Sequence, residues 1–379
     1  IFTHSQQVWR TNTRGDYWVI DLAGWTLKKL GGTGPASTLM FAKFSPDGGR
    51  VGWVRYGENN IYVEDLAGGK ITQLTTDGSR TIINGTFDWV YEEELGLQDG
   101  WRWNPDGRSI AYWQLDATGV RDFLLDNVTD SLYAFTVPVQ YPKAGQTNSA
   151  SRVGVVSAAG GETRWMKVPG DPRNNYIARM EWVPAGKNES KELIIQQLNR
   201  LQDTLQVIVA DAQSGQVRTL FSERDSAWVE QFDQLRFVNA GKDLLWLSER
   251  SGWSQLYLVP RAGGAARPLT SGEFDVLNVL RVDTLSTTVY YIASPDNPTQ
   301  RYLYRVNYAK PGPPQRVSPT SESGTHSYSI APSGRYAVHT YSRFGVPPVV
   351  TIVSLPDHRV TRTLARSEEH TSELQSLAY

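Results

Sequence analysis

Apolar and polar residues alternate along most of this chain with a period of two, the pattern of strands with one buried face. The alternation comes in short runs broken by Gly, Asp, Asn and Pro. Seven stretches share one plan: an apolar strand, a tight turn, then a second short strand ending on an apolar residue. They cover residues 17–30, 61–74, 153–168, 205–220, 255–269, 302–317 and 349–364. A second signature precedes several of them. Its clearest copies are Phe44-Ser45-Pro46-Asp47-Gly48 and Trp103-Asn104-Pro105-Asp106-Gly107. Weaker copies are Trp182-Val183-Pro184-Ala185-Gly186, Phe237-Val238-Asn239-Ala240-Gly241 and Ile330-Ala331-Pro332-Ser333-Gly334. Each closes a strand with residues that adopt turn geometry at low cost.

Four strands per unit, repeated about every fifty residues, is the pattern of a β-propeller blade. The expected fold is therefore all-β, with about seven four-stranded blades. Stability should be distributed, because each blade buries its faces against its neighbours. The alternative, unrelated hairpins in a large sandwich, does not account for seven copies of one unit. One stretch breaks the period. Between Asp77 and Arg152 a blade carries insertions, and an insertion on a repeat scaffold is where function is expected.

Composition narrows the choices. Aromatics make up 11% of the 379 residues, with 13 Trp and 18 Tyr, which suits strands packed by large side chains. A net charge of -1 gives no general attraction to nucleic acid or anionic membrane. The chain has 0 Cys, which excludes disulfides and thiolate metal sites. No apolar run approaches the ~20 residues of a membrane span. No cofactor or metal is expected.

The first insertion holds the densest charge: Asn84-Gly85-Thr86-Phe87-Asp88-Trp89-Val90-Tyr91-Glu92-Glu93-Glu94. The pattern predicts a short helical insertion here, with Asp88 as its cap and Gly96 as its stop. Adjacent helical residues point about 100° apart, so at most two of the three carboxylates converge. Two convergent carboxylates suit an ammonium group with its three N–H donors. Read from residues alone, a solvated acidic helix start is the commoner outcome of such a run. Trp89 and Tyr91 could stack on a ligand, but anchoring the insertion in its blade is the commoner role of such aromatics.

This run resembles the substrate-anchoring segment of the dipeptidyl peptidase IV family, a branch of the prolyl oligopeptidase-type serine peptidases. The resemblance extends to Ile82-Ile83, to Ile110-Ala111-Tyr112-Trp113-Gln114, to Tyr141-Pro142-Lys143-Ala144-Gly145 with Asn148, and to Leu247-Ser248-Glu249-Arg250-Ser251-Gly252-Trp253 with Leu256-Tyr257. It implies that Glu93 and Glu94 bind the amino terminus of a peptide substrate, while Glu92 does not. It places Phe232 loosely at the pocket for the second substrate residue. The family also uses an arginine, one blade earlier, on a substrate carbonyl. Counting back from Phe44-Ser45-Pro46 puts Gly34 at that position, so the arginine is left unassigned.

The resemblance further implies a Ser-Asp-His hydrolase domain, whose G-x-S-x-G elbow is missing from these residues. His4, His326, His339, His358 and His370 have no partners that the pattern would support. The segment from Arg366 to Ser376 matches a translated sequencing adapter. The expectation is a fragment: residues 1–365 as propeller, cut at both ends from an eight-bladed parent, and 366–379 as a non-biological tail. The implied parent is a periplasmic or extracellular enzyme that removes Xaa-Pro or Xaa-Ala dipeptides. Its implied partners are peptides with a free N-terminus, its own α/β-hydrolase domain and, in a homodimer, a second copy. The competing reading is a non-catalytic peptide- or protein-binding propeller; a carbohydrate-active propeller is weaker, since no acid/base pair can be placed.

Overall fold

The computed structural model describes residues 1–184, 190–231, 235–310 and 312–366. Ala185, Gly186, Phe232 and residues 367–379 lie outside them. Among the described residues, thirty strands and one helix form antiparallel sheets. The chain divides into two compact units, Ile1–Gln231 and Phe232–Tyr379.

In the first unit, β1 (Phe2–Gln7), β2 (Asn12–Asp21) and β3 (Thr26–Lys29) share a sheet with β4 (Leu39–Phe44), β5 (Arg50–Arg55), β6 (Asn60–Asp65) and β7 (Ile71–Gln73). The next sheet contains β8 (Ile82–Asn84), helix α1 (Trp89–Leu95) as an excursion, β9 (Trp101–Trp103) and β10 (Ser109–Asp116). A separate hairpin, β11 (Asp122–Asn127) and β12 (Phe135–Gln140), then projects before β13 (Ala150–Ser157) and β14 (Arg164–Trp165) complete the sheet. A regular four-stranded sheet follows: β15 (Asn175–Trp182), β16 (Glu192–Asn199), β17 (Thr204–Asp211) and β18 (Val217–Arg224).

The second unit holds three more four-stranded sheets. These are β19 (Arg236–Val238), β20 (Asp243–Ser248), β21 (Gln255–Pro260) and β22 (Arg267–Pro268); β23 (Val276–Asp283), β24 (Thr288–Ala293), β25 (Tyr302–Asn307) and β26 (Gln315–Arg316); and β27 (Thr325–Ile330), β28 (Tyr336–Arg343), β29 (Val346–Ser354) and β30 (Val360–Arg366). The seven expected hairpins are β2–β3, β6–β7, β13–β14, β17–β18, β21–β22, β25–β26 and β29–β30. The fold class is thus the all-β propeller type, built from repeated antiparallel four-stranded sheets. β30 runs to Arg366, paired with Val349, one residue past the expected boundary.

The turn signature has one bonding plan. In Phe44-Ser45-Pro46-Asp47-Gly48 the Ser45 N–H donates to Arg50 O and the Gly48 N–H to Ser45 O, both at 2.8 Å. Asn104 and Gly107 repeat this with Ser109 O and Asn104 O, and Ala331 and Gly334 with Tyr336 O and Ala331 O. The last turn residue needs positive φ, 74° at Gly48, 70° at Gly107 and 69° at Gly334, which glycine adopts without penalty. Cores lie between neighbouring sheets within each unit. Met40, Val54, Ile61 and Val63 pack with Trp101, Ile110, Tyr112 and Val156 from the next sheet. Leu256 and Leu258 likewise pack with Val289, Tyr291 and Tyr304.

Candidate functional site

The excursion that carries α1 is pinched at its base by two glycines. β10 pairs with β8 as far as Asn84 and with β9 from Trp101. Between them Trp113 O accepts from the Gly85 N–H at 2.9 Å, and the Trp113 N–H donates to Gly100 O at 3.0 Å. The sheet is therefore continuous although fourteen residues leave it. A Cβ at Gly100 would lie 2.7 Å from the Gly85 carbonyl carbon, and one at Gly85, where φ is 71°, would lie 2.9 Å from Ile61 and Val54, so both positions need glycine.

The helix has both expected ends. Asp88 caps it, accepting from the Tyr91 N–H at 3.0 Å, and Ser149 Oγ donates to the other carboxylate oxygen at 2.6 Å. Burial pushes the Asp88 carboxyl above its usual range, against these hydrogen bonds. Gly96 stops the helix in the left-handed region at φ 63°. Tyr91 anchors it: its ring stacks on Phe87 at 5.5 Å, and its hydroxyl accepts from the Ile177 N–H at 3.1 Å. Trp89 does something else. It leans on Tyr141 at 4.2 Å and lines a cleft.

That cleft holds about 620 Å³ and is walled by Trp9, Trp89, Phe123, Leu125, Val139 and Tyr141, with Arg10, Glu93 and Lys143 as its charged groups. A cleft of this size, mostly apolar with few polar groups, has the character of a small-ligand site. The three glutamates diverge around it. Glu93 lines the cleft and is paired with Arg10. Glu92 accepts from Gln98 Nε2 at 3.2 Å, and burial, with the Glu93 charge beside it, raises its carboxyl above the usual range. Glu94 is exposed and is not among the lining residues. The structure thus brings Glu93, not Glu94, to the cleft. Phe232 lies outside the described residues.

Arg10 is the residue that sequence reasoning missed. It sits with Trp9 at the tip of the β1–β2 hairpin, closed by the Val8 N–H donating to Thr11 O at 3.2 Å. Counting from Phe44-Ser45-Pro46 had pointed to Gly34, but Gly34 lies against the guanidinium of Arg55, which bonds Gly31 O. The usable signal was the Trp9-Arg10 pair itself, an apolar and a cationic residue in a two-residue tip. Side chains of the pair are unequally covered, 75% exposed for Arg10 and 17% for Glu93. Such an ion pair is weak and can admit a second cation, since a carboxylate has about four acceptor positions.

His4 meets Asp16 at 3.1 Å, and His326, His339 and His358 bond to one another, to Tyr328 or to Thr351. No serine hydroxyl is hydrogen-bonded to a histidine among the described residues.

A family model described as the dipeptidyl peptidase IV (DPP IV) N-terminal region matches residues 1–348. The chain belongs to the DPP IV family. It is similar to "Probable dipeptidyl peptidase 4" of Aspergillus flavus, 29% identical over 327 residues, covering 82% of this chain and 41% of that one. It is also similar to "Probable dipeptidyl-aminopeptidase B" of Chaetomium globosum, 28% identical over 401 residues, covering 98% and 42%. Among solved structures it resembles Porphyromonas gingivalis dipeptidyl peptidase 4, with a TM-score of 0.88 and 28% identity, covering 99% of this chain and 52% of that one. The chain spans about half the length of these DPP IV relatives or less. No helix among the described residues is long and apolar enough to cross a membrane.

Proposed function

We propose that this chain is the substrate-anchoring propeller of a serine-type dipeptidyl peptidase that removes Xaa-Pro or Xaa-Ala dipeptides from peptide amino termini. Glu93 carries the reading, because its carboxylate stands beside Arg10 in a cleft walled by Trp9, Trp89, Phe123 and Tyr141. In this reading Glu93 accepts the substrate's ammonium group. Arg10 takes the substrate carbonyl, the role left open in the sequence. Glu94, exposed one residue on, turns toward the amine when peptide binds. The chemistry belongs to a hydrolase domain outside this chain. The parent works in the periplasm or outside the cell.

Dimerisation is part of the proposal, and the β11–β12 hairpin is its surface. This arm and its turn expose Leu124, Val128, Leu132, Tyr133 and Phe135, the kind of apolar patch that marks a protein–protein contact. The deciding test is kinetic. In a full-length parent, Arg10→Lys should lower kcat/KM for glycyl-prolyl substrates, because lysine cannot present the planar fork of donors. Unchanged kcat/KM would remove Arg10 from the site.

A further inference from the structure

The last sheet of the second unit contains a second cluster of titratable groups. His326 on β27, His339 on β28 and His358 in the β29–β30 turn are 1%, 4% and 9% exposed. The His326 and His339 rings stack with centroids 5.1 Å apart, and His358 meets His339 edge-on at 4.7 Å. Tyr328 completes the stack, 4.6 Å from His339.

With both rings neutral, the hydrogen bonds fix one tautomer for each. His326 Nε2 faces the Glu322 carbonyl at 3.0 Å, so that nitrogen must carry a proton and donate. His326 Nδ1 is then an acceptor, and His339 Nε2–H donates to it at 2.9 Å. His339 Nδ1 is left as the acceptor for Thr351 Oγ1–H at 3.3 Å. Every bond in this chain is made with both rings neutral. A proton added at His326 Nδ1 would force His339 into its other tautomer and leave a charge between buried rings. One added at His339 Nδ1 would turn the threonine away and place a charge inside the stack. The third ring is held by Tyr328 Oη at His358 Nε2, 2.8 Å.

We propose that the β27–β30 sheet is an acid-sensitive module, packed while these three histidines are neutral and opened when they take up protons. Around the cluster the uncharged neighbours are Tyr302, Tyr341, Tyr328, Ser318 and Thr351. The charged neighbours are few. Arg316 opposes a charge on His326, while the Glu322 and Asp357 carboxylates favour one on His358 less than burial disfavours it. Burial comes first in all three, and it pulls His339 down to about 3.

The sign follows from these directions. A histidine whose value is lowered by folding binds fewer protons in the packed sheet than in the open one. The packed state is fully favoured above the free value of about 6.5 and is lost as pH falls below it. Each such ring raises the opening constant by up to about tenfold per pH unit.

Peptide-resolved hydrogen exchange on the whole chain at pH 7.5 and 4.5, corrected for intrinsic exchange rates, tests this. Amides of β27–β30 should lose at least about a hundredfold in protection, while β15–β18, which contain no histidine, keep theirs. His339→Gln, with one titrating ring fewer, should show at least about tenfold less loss. If that variant does not fold, nitrogen-detected imidazole spectra of the unaltered chain decide: the three rings should stay neutral at pH 5.5 wherever the sheet is still protected. Protonation of any of the three in a protected sheet overturns the proposal, as does equal loss of protection in both sheets.

Discussion

The anchoring role proposed for the acidic run rests on a single carboxylate. Glu92, Glu93 and Glu94 are adjacent, yet each has a different environment. Gln98 holds Glu92, Arg10 holds Glu93, and Glu94 faces solvent. In a full-length parent, Glu93→Gln should lower kcat/KM for free-amine substrates roughly ten- to a hundredfold, the value of a charge-assisted hydrogen bond of ~1.5–3 kcal/mol. Glu94→Gln should lower it by no more than that, and Glu92→Gln should stay near the unaltered enzyme. Steady-state kinetics on a glycyl-prolyl reporter read all three, and a silent Glu93→Gln would remove the anchoring role. The run itself was legible because three carboxylates in sequence are conspicuous. Its partner was not, since Arg10 is 83 residues away in sequence. Only the hairpin geometry brings them together, and no local pattern encodes that distance.

At the scale of elements, α1 shows how much local chemistry the sequence carried. Its seven residues are too few to be stable alone, so cap, stop and anchor must each act. All three were readable as Asp88, Gly96 and Tyr91. The Asp88–Ser149 bond was not readable, because it joins residues 61 apart in sequence across a second insertion. Asp88→Ala should destabilise the first unit by about 0.5–2 kcal/mol, since the Tyr91 N–H loses its acceptor. It should also weaken peptide binding through misplaced Glu93. Urea unfolding together with a binding titration checks both, and a variant with full stability would show that the cap is dispensable. The periodic turns were equally legible, because Pro, Asp and Gly at fixed offsets specify one bonding plan wherever they recur. The β11–β12 arm was not, since its exposed apolar residues imitate a buried strand and only the paired register shows it standing apart.

For the whole molecule, the repeat carried the fold, and the residue types carried the proposal for the site. Seven hairpins, most at a common spacing, leave little freedom for an all-β chain, and neighbouring sheets within a unit bury their faces against each other. With no histidine bonded to a serine among the described residues, this chain alone should not hydrolyse a glycyl-prolyl reporter. Turnover abolished by a serine-directed inhibitor would refute that. The central claim is that the cleft recognises a free peptide amine. Isothermal titration of the chain with a glycyl-prolyl peptide and with its N-acetylated form tests it most directly. Acetylation removes the ammonium group and leaves the rest of the ligand nearly intact. The account predicts binding of the free peptide, roughly ten- to a hundredfold weaker after acetylation. Equal affinity for the two peptides would contradict it.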